Sequence, residues 1–426
     1  MKTASVDSDK LRDEVTTQAI KAKAASQALA LLSTEDKNKA LLKMAEEISS
    51  AKAQIIAENV KDVEGATKAN VSKALIDRLT LDAARVDGIA QGLREMAALA
   101  DPIGEVLREW SRPNGMNIRQ VRVPLGVIGM IYEARPNVTA EAAGLCLKAG
   151  NGVILRGGSE AFHSNKILVD VIGKALSGTK IPKDAVQFLP PQDRRSTQIM
   201  SRLTGLVDLI IARGSEEMIK AISADATVPV LGHGKGVCHV YVDKSADAEK
   251  AVNIAYNAKV QRPGVCNAME SLLIHEHMVY DILPKIAALY VKAGVEIRGD
   301  ETIVGLFAHA KPATEEDWGK EYHDKIVSMK VVNNLEEAIT HINRFGSGHT
   351  DSIITEDKAA AELFQKAVDS SCVMVNASTR LHDGSVFGFG SEIGISTQKF
   401  HARGTMGLRE LTTTKYIVEG TGQIRE

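Results

Sequence analysis

The sequence predicts an α/β protein of two domains, the first a Rossmann-like parallel sheet, with a small β extension. Three observations lead there. Between residues 126 and 232 strand and helix patterns alternate five times, and most of the strands are continuous apolar runs, as in a parallel sheet covered on both faces. A second alternating set runs from Cys238 to Asn376. Around Asn114-Gly115, a strong hairpin signal, Val106, Leu107, Ile118, Val121 and Val123 are spaced for strands.

The first hundred residues read as polar-faced helices. Ser33-Thr34-Glu35-Asp36 is a capping signature, and Ala40, Leu41, Met44, Ala45 and Ile48 form one apolar stripe behind it. A second such run spans Leu81 to Leu99. The five strands of the first alternating set fall at Gly126–Tyr132, Gly152–Arg156, Val186–Pro190, Val207–Ala212 and Val228–Leu231. Several end in glycine or a capping residue where a helix begins: Arg156-Gly157-Gly158-Ser159, Arg213-Gly214-Ser215 and Gly232-His233-Gly234. In such a sheet ligands bind beyond the carboxyl ends of the strands, and helix N-termini there suit phosphates, so a nucleotide cofactor is expected. Gly232-His233-Gly234-Lys235-Gly236 is only an approximate dinucleotide fingerprint, and a plain turn fits it equally. The hairpin and the terminal segment from Lys415 to Arg425 read as exposed edges for another subunit to cover. The expected domains are 1–112 with 126–236 for the cofactor, 237–408 for catalysis, and 113–125 with 409–426 for oligomerisation.

Composition narrows the function. With 426 residues, 44% apolar, 25% charged and a net charge of -2, the chain carries no nucleic-acid or membrane signal. Cysteines 146, 238, 266 and 372 lack both C-x-x-C spacing and a disulfide framework, which fits a reducing compartment. The polar N-terminus and the lack of a spanning stretch give a cytoplasmic expectation. His275-Glu276-His277 lacks a third ligand in view, and no metal is expected.

Cys266 is the candidate nucleophile. A helical run from Ala248 to Lys259 is stopped by Pro263-Gly264, and a strand follows from Glu270 to His275. The thiol therefore falls on a short helix-to-strand connection, with Lys259 and Arg262 just upstream to favour a thiolate. On residues alone, an inert buried cysteine fits as well.

Longer segments settle that choice. Val123 to Thr139, Ile154 to Ser159, Gln261-Arg262-Pro263 to Cys266-Asn267, Val375 to Arg380 and His401 to Gly404 stand in one order, and with them the chain resembles the aldehyde dehydrogenase superfamily. Within it, the chain is similar to the family of gamma-glutamyl phosphate reductases. The resemblance implies reduction of L-glutamyl 5-phosphate to L-glutamate 5-semialdehyde and phosphate, a step towards proline. Cys266 would attack the acyl phosphate and form a thioester, which the nicotinamide cofactor reduces. The oxyanion donors would be the Cys266 N–H and the Asn137 side-chain amide. An ungapped match puts Arg135 in the asparagine's place, and Arg135 could instead hold the substrate phosphate.

The same resemblance assigns cofactor contacts to Arg156, Gly157, Ser159, Gly214, Ser215, Gly232 and Glu321, with Glu321 at the nicotinamide ribose and Ser215 at the pyrophosphate. Ser159 stands where NAD-preferring relatives carry a glutamate, so NADP(H) is expected, with Arg156 near the 2'-phosphate. Val230 stands where hydrolytic relatives carry the general base that activates water, which suits acyl transfer to phosphate. Substrate cations are sought among Arg262, Arg380, Lys399, His401 and Arg403. The implied partners are a second copy of the chain and, transiently, a glutamate kinase. A hydrolytic aldehyde dehydrogenase and an inactive structural subunit are the alternatives.

Overall fold

Contacts divide the chain into two units, one of residues 1–232, 388–394 and 406–426, the other of residues 233–387 and 395–405. The computed structural model describes residues 2–190, 193–232 and 234–425.

The first unit opens with α1 (Lys2–Leu29), α2 (Thr34–Ser50), α3 (Lys52–Lys68), α4 (Lys73–Leu79) and α5 (Ala83–Ala98). The Ser33 side chain caps α2 by accepting from Asp36 N–H at 3.2 Å. The stripe behind it, from Ala40 to Ile48, is fully buried. Cutting Leu41 to Ala there would cost about 2–5 kcal/mol. The expected hairpin is present as β1 (Val106–Ser111) and β2 (Asn117–Pro124), and β17 (Thr412–Glu419) lies antiparallel on the far side of β2. The terminal strand thus starts and ends earlier than Lys415–Arg425.

β3 (Val127–Tyr132), α6 (Asn137–Lys148), β4 (Gly152–Gly157), α7 (Phe162–Leu176), β5 (Val186–Phe188), α8 (Arg195–Met200), β6 (Leu209–Arg213), α9 (Glu216–Asp225) and β7 (Val230–Leu231) complete the unit. The five strands are parallel in the order β5-β4-β3-β6-β7. The chain starts in mid-sheet, builds to one edge and returns to build the other, so β3 and β6 flank the switch point where such sheets hold ligands. β3 is buried along its whole length, as its apolar run requires.

The second unit carries β8 (Cys238–Val242), α10 (Ala248–Val260), β9 (Met269–His275), α11 (Val279–Ala293), β10 (Glu296–Gly299), α12 (Glu301–Leu306), β11 (Lys311–Pro312), β12 (Ile326–Val332), α13 (Leu335–Phe345), β13 (Thr350–Ile354), α14 (Lys358–Ala367) and β14 (Cys372–Val375). Its seven strands are parallel, in the order β11-β10-β12-β9-β8-β13-β14. β8 and β9 are buried throughout. Among the described residues, no helix is long and apolar enough to cross a membrane.

Candidate active site

In the second unit the chemistry gathers at the amino ends of β8, β9 and β13. Cys266 is half-buried on the turn that joins α10 to β9, where the Pro-Gly stop places it. The turn is gripped from several sides. Beneath it, Gly236 comes so close that a Cβ there would lie 2.1 Å from the Cys266 carbonyl oxygen and 2.7 Å from its Cα. The Cys238 thiol donates to that same carbonyl at 3.2 Å. Beside it, Asn267 Nδ2 donates to the His382 carbonyl at 2.9 Å, while Asn267 Oδ1 accepts from the Arg380 guanidinium.

Arg380 also donates through Nε to Gln261 Oε1 at 2.9 Å. Burial lowers its pKa, the Arg262 charge lowers it further, and Cys266 raises it. Arg262, Cys266 and Arg380 therefore share one local field, in which a thiolate is the complementary charge. Arg262 is exposed and Arg380 half-buried. Lys259, the other upstream cation, is fully buried in an ion pair with Glu270 at 2.6 Å. That pair joins the last turn of α10 to the start of β9, closing the neck of the Cys266 connection. Burial raises Glu270 to about 7 against the pull of Lys259.

The remaining expected substrate cations stand elsewhere in this unit. Lys399 and Arg403 both pair with Asp369, Arg403 at 2.9 Å from Oδ1. His401 is exposed and has φ +59°, a left-handed conformation. Glu321 pairs with His323 at 3.3 Å, its side chain 12% exposed.

In the first unit the expected cofactor residues other than Glu321 lie at the carboxyl ends of β4, β6 and β7. Arg156 and Gly157 end β4, and exposed Ser159 follows. Gly214 and Ser215 follow β6, and Ser215 caps α9 by accepting from Met218 N–H at 3.3 Å. Gly232 follows β7, where a Cβ would lie 2.9 Å from the Ala212 carbonyl oxygen, so its first duty is close strand packing. Two acids absent from the sequence expectation close this edge. Glu133 Oε2 accepts from Ser215 N–H at 3.1 Å, and Glu160 Oε1 accepts from Ala134 N–H at 2.6 Å. Ala134 needs that anchor, having φ +34° without being glycine. Asn137 opens α6 and donates through Nδ2 to Glu141 Oε1 at 3.0 Å. Half-buried Arg135 precedes Pro136 at the same loop.

These residues fit a nucleotide. Arg156 Nε is buried without a hydrogen-bond partner, an unmet donor at the carboxyl end of β4, the side of such a sheet where phosphates bind. Gly214 leaves the loop bare where a Cβ would sit 2.7 Å from the Glu133 carboxylate oxygen.

A parallel sheet with this switch point, and a half-buried thiol on a helix-to-strand turn of a second sheet, fit a nicotinamide-dependent dehydrogenase. The chain belongs to the aldehyde dehydrogenase family, whose family model matches residues 4–325. Its relatives narrow the branch to the gamma-glutamyl phosphate reductases. The enzyme of that name from Caldanaerobacter subterraneus subsp. tengcongensis is 52% identical over 97% of this chain and 100% of its own. The crystal structure of gamma-glutamyl phosphate reductase from Thermotoga maritima matches at TM-score 0.94 and 47% identity, over 97% of this chain and 100% of that one. At 18% identity, glyceraldehyde-3-phosphate dehydrogenase GapN of Methanocaldococcus jannaschii, complexed with NADP, shares the fold at TM-score 0.70 over 96% of this chain and 95% of that one.

Cys238, Gly236, Glu270, His382, Glu133 and Glu160 escaped the sequence reading. Gly236 ends a glycine-rich run and Cys238 is one of four cysteines, but neither residue signals which backbone it meets. The acids carried no signal at all.

Proposed function

We infer that this chain reduces L-glutamyl 5-phosphate to L-glutamate 5-semialdehyde and phosphate, in proline biosynthesis, through a thioester on Cys266. The observation that carries the mechanism is the placement of Cys266 on a gripped turn with Arg262 and Arg380 in its field. Its Sγ forms the bond to the acyl carbon as the carbon–oxygen bond to phosphate breaks. The Cys266 N–H and the Asn137 amide serve the oxyanion; an amide carries two N–H donors, and Glu141 takes one. The nicotinamide cofactor, when bound, supplies the hydride, and the carbon–sulfur bond then breaks, releasing the aldehyde and returning Cys266 Sγ as thiolate. Arg156, Gly157, Ser159, Gly214, Ser215, Gly232 and Glu321 are assigned to holding it. Arg156 and Ser159, at a position without a carboxylate, favour the 2'-phosphate of NADP(H).

Val230, on β7, offers no base to activate water, so the thioester waits for phosphate in the reverse direction. Arg262 and Arg380 are the better placed cations for the substrate's anionic groups, with Arg135 for its phosphate; Lys399, His401 and Arg403 are secondary, two of them being held by Asp369. The exposed Val106, Leu107, Trp110, Tyr416 and Val418 on the three-stranded sheet suit a second copy of the chain. A transient complex with a glutamate kinase would protect the labile acyl phosphate, and co-sedimentation without mutual shift would remove it.

The test is the reverse reaction: glutamate 5-semialdehyde with NADP+ or NAD+, with and without inorganic phosphate. Phosphate-dependent reduction, faster with NADP+, is expected. Turnover independent of phosphate would mean hydrolysis instead, and a preference for NAD+ would overturn the cofactor assignment.

A further inference from the structure

A buried line of polar side chains runs beneath the Cys266 turn and has no part in the chemistry above. Cys238, His349 and Thr350 have no exposed surface, and His382 has 1%. The Cys238 thiol donates to the Cys266 carbonyl at 3.2 Å, and its sulfur lies 3.7 Å from His349 Nδ1. His349 Nδ1 is 2.8 Å from Thr350 Oγ1, which is 2.7 Å from His382 Nδ1. A hydroxyl has one hydrogen, so Thr350 donates to one imidazole and accepts from the other. The line returns to the turn at its far end, where the His382 carbonyl accepts from Asn267 Nδ2 at 2.9 Å.

Cys266 and Asn267 are thus each held by a bond to this group, one from the Cys238 thiol and one to the His382 carbonyl, and the single Nδ1 site of His349 serves either the Cys238 sulfur or Thr350 Oγ1. Sinking four polar side chains into a core is costly unless they are paired, and apolar side chains would fill the space with less demand on geometry. What the polar group adds is direction: its end members bond the turn backbone at Cys266 and the turn side chain of Asn267, and His349 and Thr350 pack between them. Gly236 makes room for it, since any side chain there would push the Cys266 carbonyl off the Cys238 thiol.

We propose that Cys238 is a positioning residue for the Cys266 nucleophile, acting with His349, Thr350 and His382 to hold the Cys266–Asn267 turn in its attacking geometry. The proposal rests on Cys266 being the nucleophile. Cys238 is not a second one: burial and the nearby Asp351 push its thiol well above the ordinary range.

The test uses the full chain with Cys238→Ser, Cys238→Val, Cys238→Ala and Cys266→Ala. Serine keeps a donor, valine fills the volume without one, and alanine serves if valine overpacks. Three readouts are taken: kcat and KM of the phosphate-dependent reverse reaction, the rate of iodoacetamide alkylation of Cys266 by peptide mapping, and Tm. The Val and Ala variants are expected to lose kcat by about tenfold to a hundredfold with KM within about twofold, and Cys266 alkylation slows with kcat. The Ser variant is expected to recover to within about threefold of the unaltered chain. Unaltered kcat and alkylation in the Val or Ala variant, or a Ser variant no better than these, would overturn the proposal. Turnover surviving in Cys266→Ala would instead overturn the nucleophile assignment on which it rests.

Discussion

Cys266 differs from the other cysteines in its surroundings. Burial pushes the Cys146 and Cys238 thiols far up, and Cys372 up to about 11. At pH 8 those three remain thiols, whereas Cys266 sits half-buried among cations. Iodoacetamide should therefore label Cys266 first, at least about tenfold faster than Cys372. Peptide mapping over time checks this, and equal labelling of Cys372 would contradict it. Gly236→Ala gives a second residue-scale prediction. Its Cβ would meet backbone rather than a side-chain tip, so the turn itself must move. We expect a kcat loss of about tenfold or more with little change in Tm, because the displaced segment is a turn beyond the amino ends of the strands rather than part of the sheet.

At the scale of elements, the Lys259–Glu270 pair staples α10 to β9 on either side of the Cys266 turn. Buried pairs contribute little over apolar replacements, yet breaking one leaves an unpaired buried charge. Lys259→Met should cost about 3–5 kcal/mol in urea unfolding, and Lys259→Met with Glu270→Leu much less. Equal losses in both would mean the pair's charges do not interact.

Many of the strands are legible in the sequence one by one, whereas β8, β10, β11 and β13 are not. β3, β4 and β9 are apolar runs bounded by turn residues, and periodicity finds them within a residue or two. β17 was misplaced because Thr412-Thr413-Thr414 gives no alternation to read, and pairing with β2 determines its span. Cys266 was legible for a related reason: Pro263-Gly264 fixes where α10 stops. The grip on the turn was not, because it joins residues 236, 238, 267, 349, 350, 380 and 382, brought together only by the parallel order of β8, β9 and β13. Lys259 shows the limit of reading charge from sequence. Its place just upstream of Cys266 suggests a cation favouring the thiolate, but its charge is paired with Glu270.

Across the whole molecule, stability should depend on pH through buried groups of opposite sign. Burial lowers His382 to about 4 and His341 to about 3. A histidine depressed from its unfolded value near 6.5 binds fewer protons folded than unfolded, so its contribution is complete above that value. It is lost as pH falls towards 4, by on the order of 3 kcal/mol per histidine. Glu270, raised to about 7, binds more protons folded, so its effect runs the other way and removes stability as pH rises from about 4.5 to 7. Two histidines outweigh one glutamate, so urea unfolding should give a free energy that rises from pH 4 to 6.5. His382→Ala should reduce the slope, and a flat profile in the unaltered chain would contradict the burial of these imidazoles.

The central claim is that Cys266 carries the acyl group and that phosphate, not water, removes it. The most direct measurement is a quenched peptide map after mixing the protein with glutamate 5-semialdehyde and NADP+ in phosphate-free buffer, followed by addition of inorganic phosphate. A glutamyl thioester on the Cys266 peptide is expected, persisting until phosphate is added and then disappearing. An acyl group on another residue, no acyl group at all, or a thioester that water discharges as fast as phosphate would contradict it.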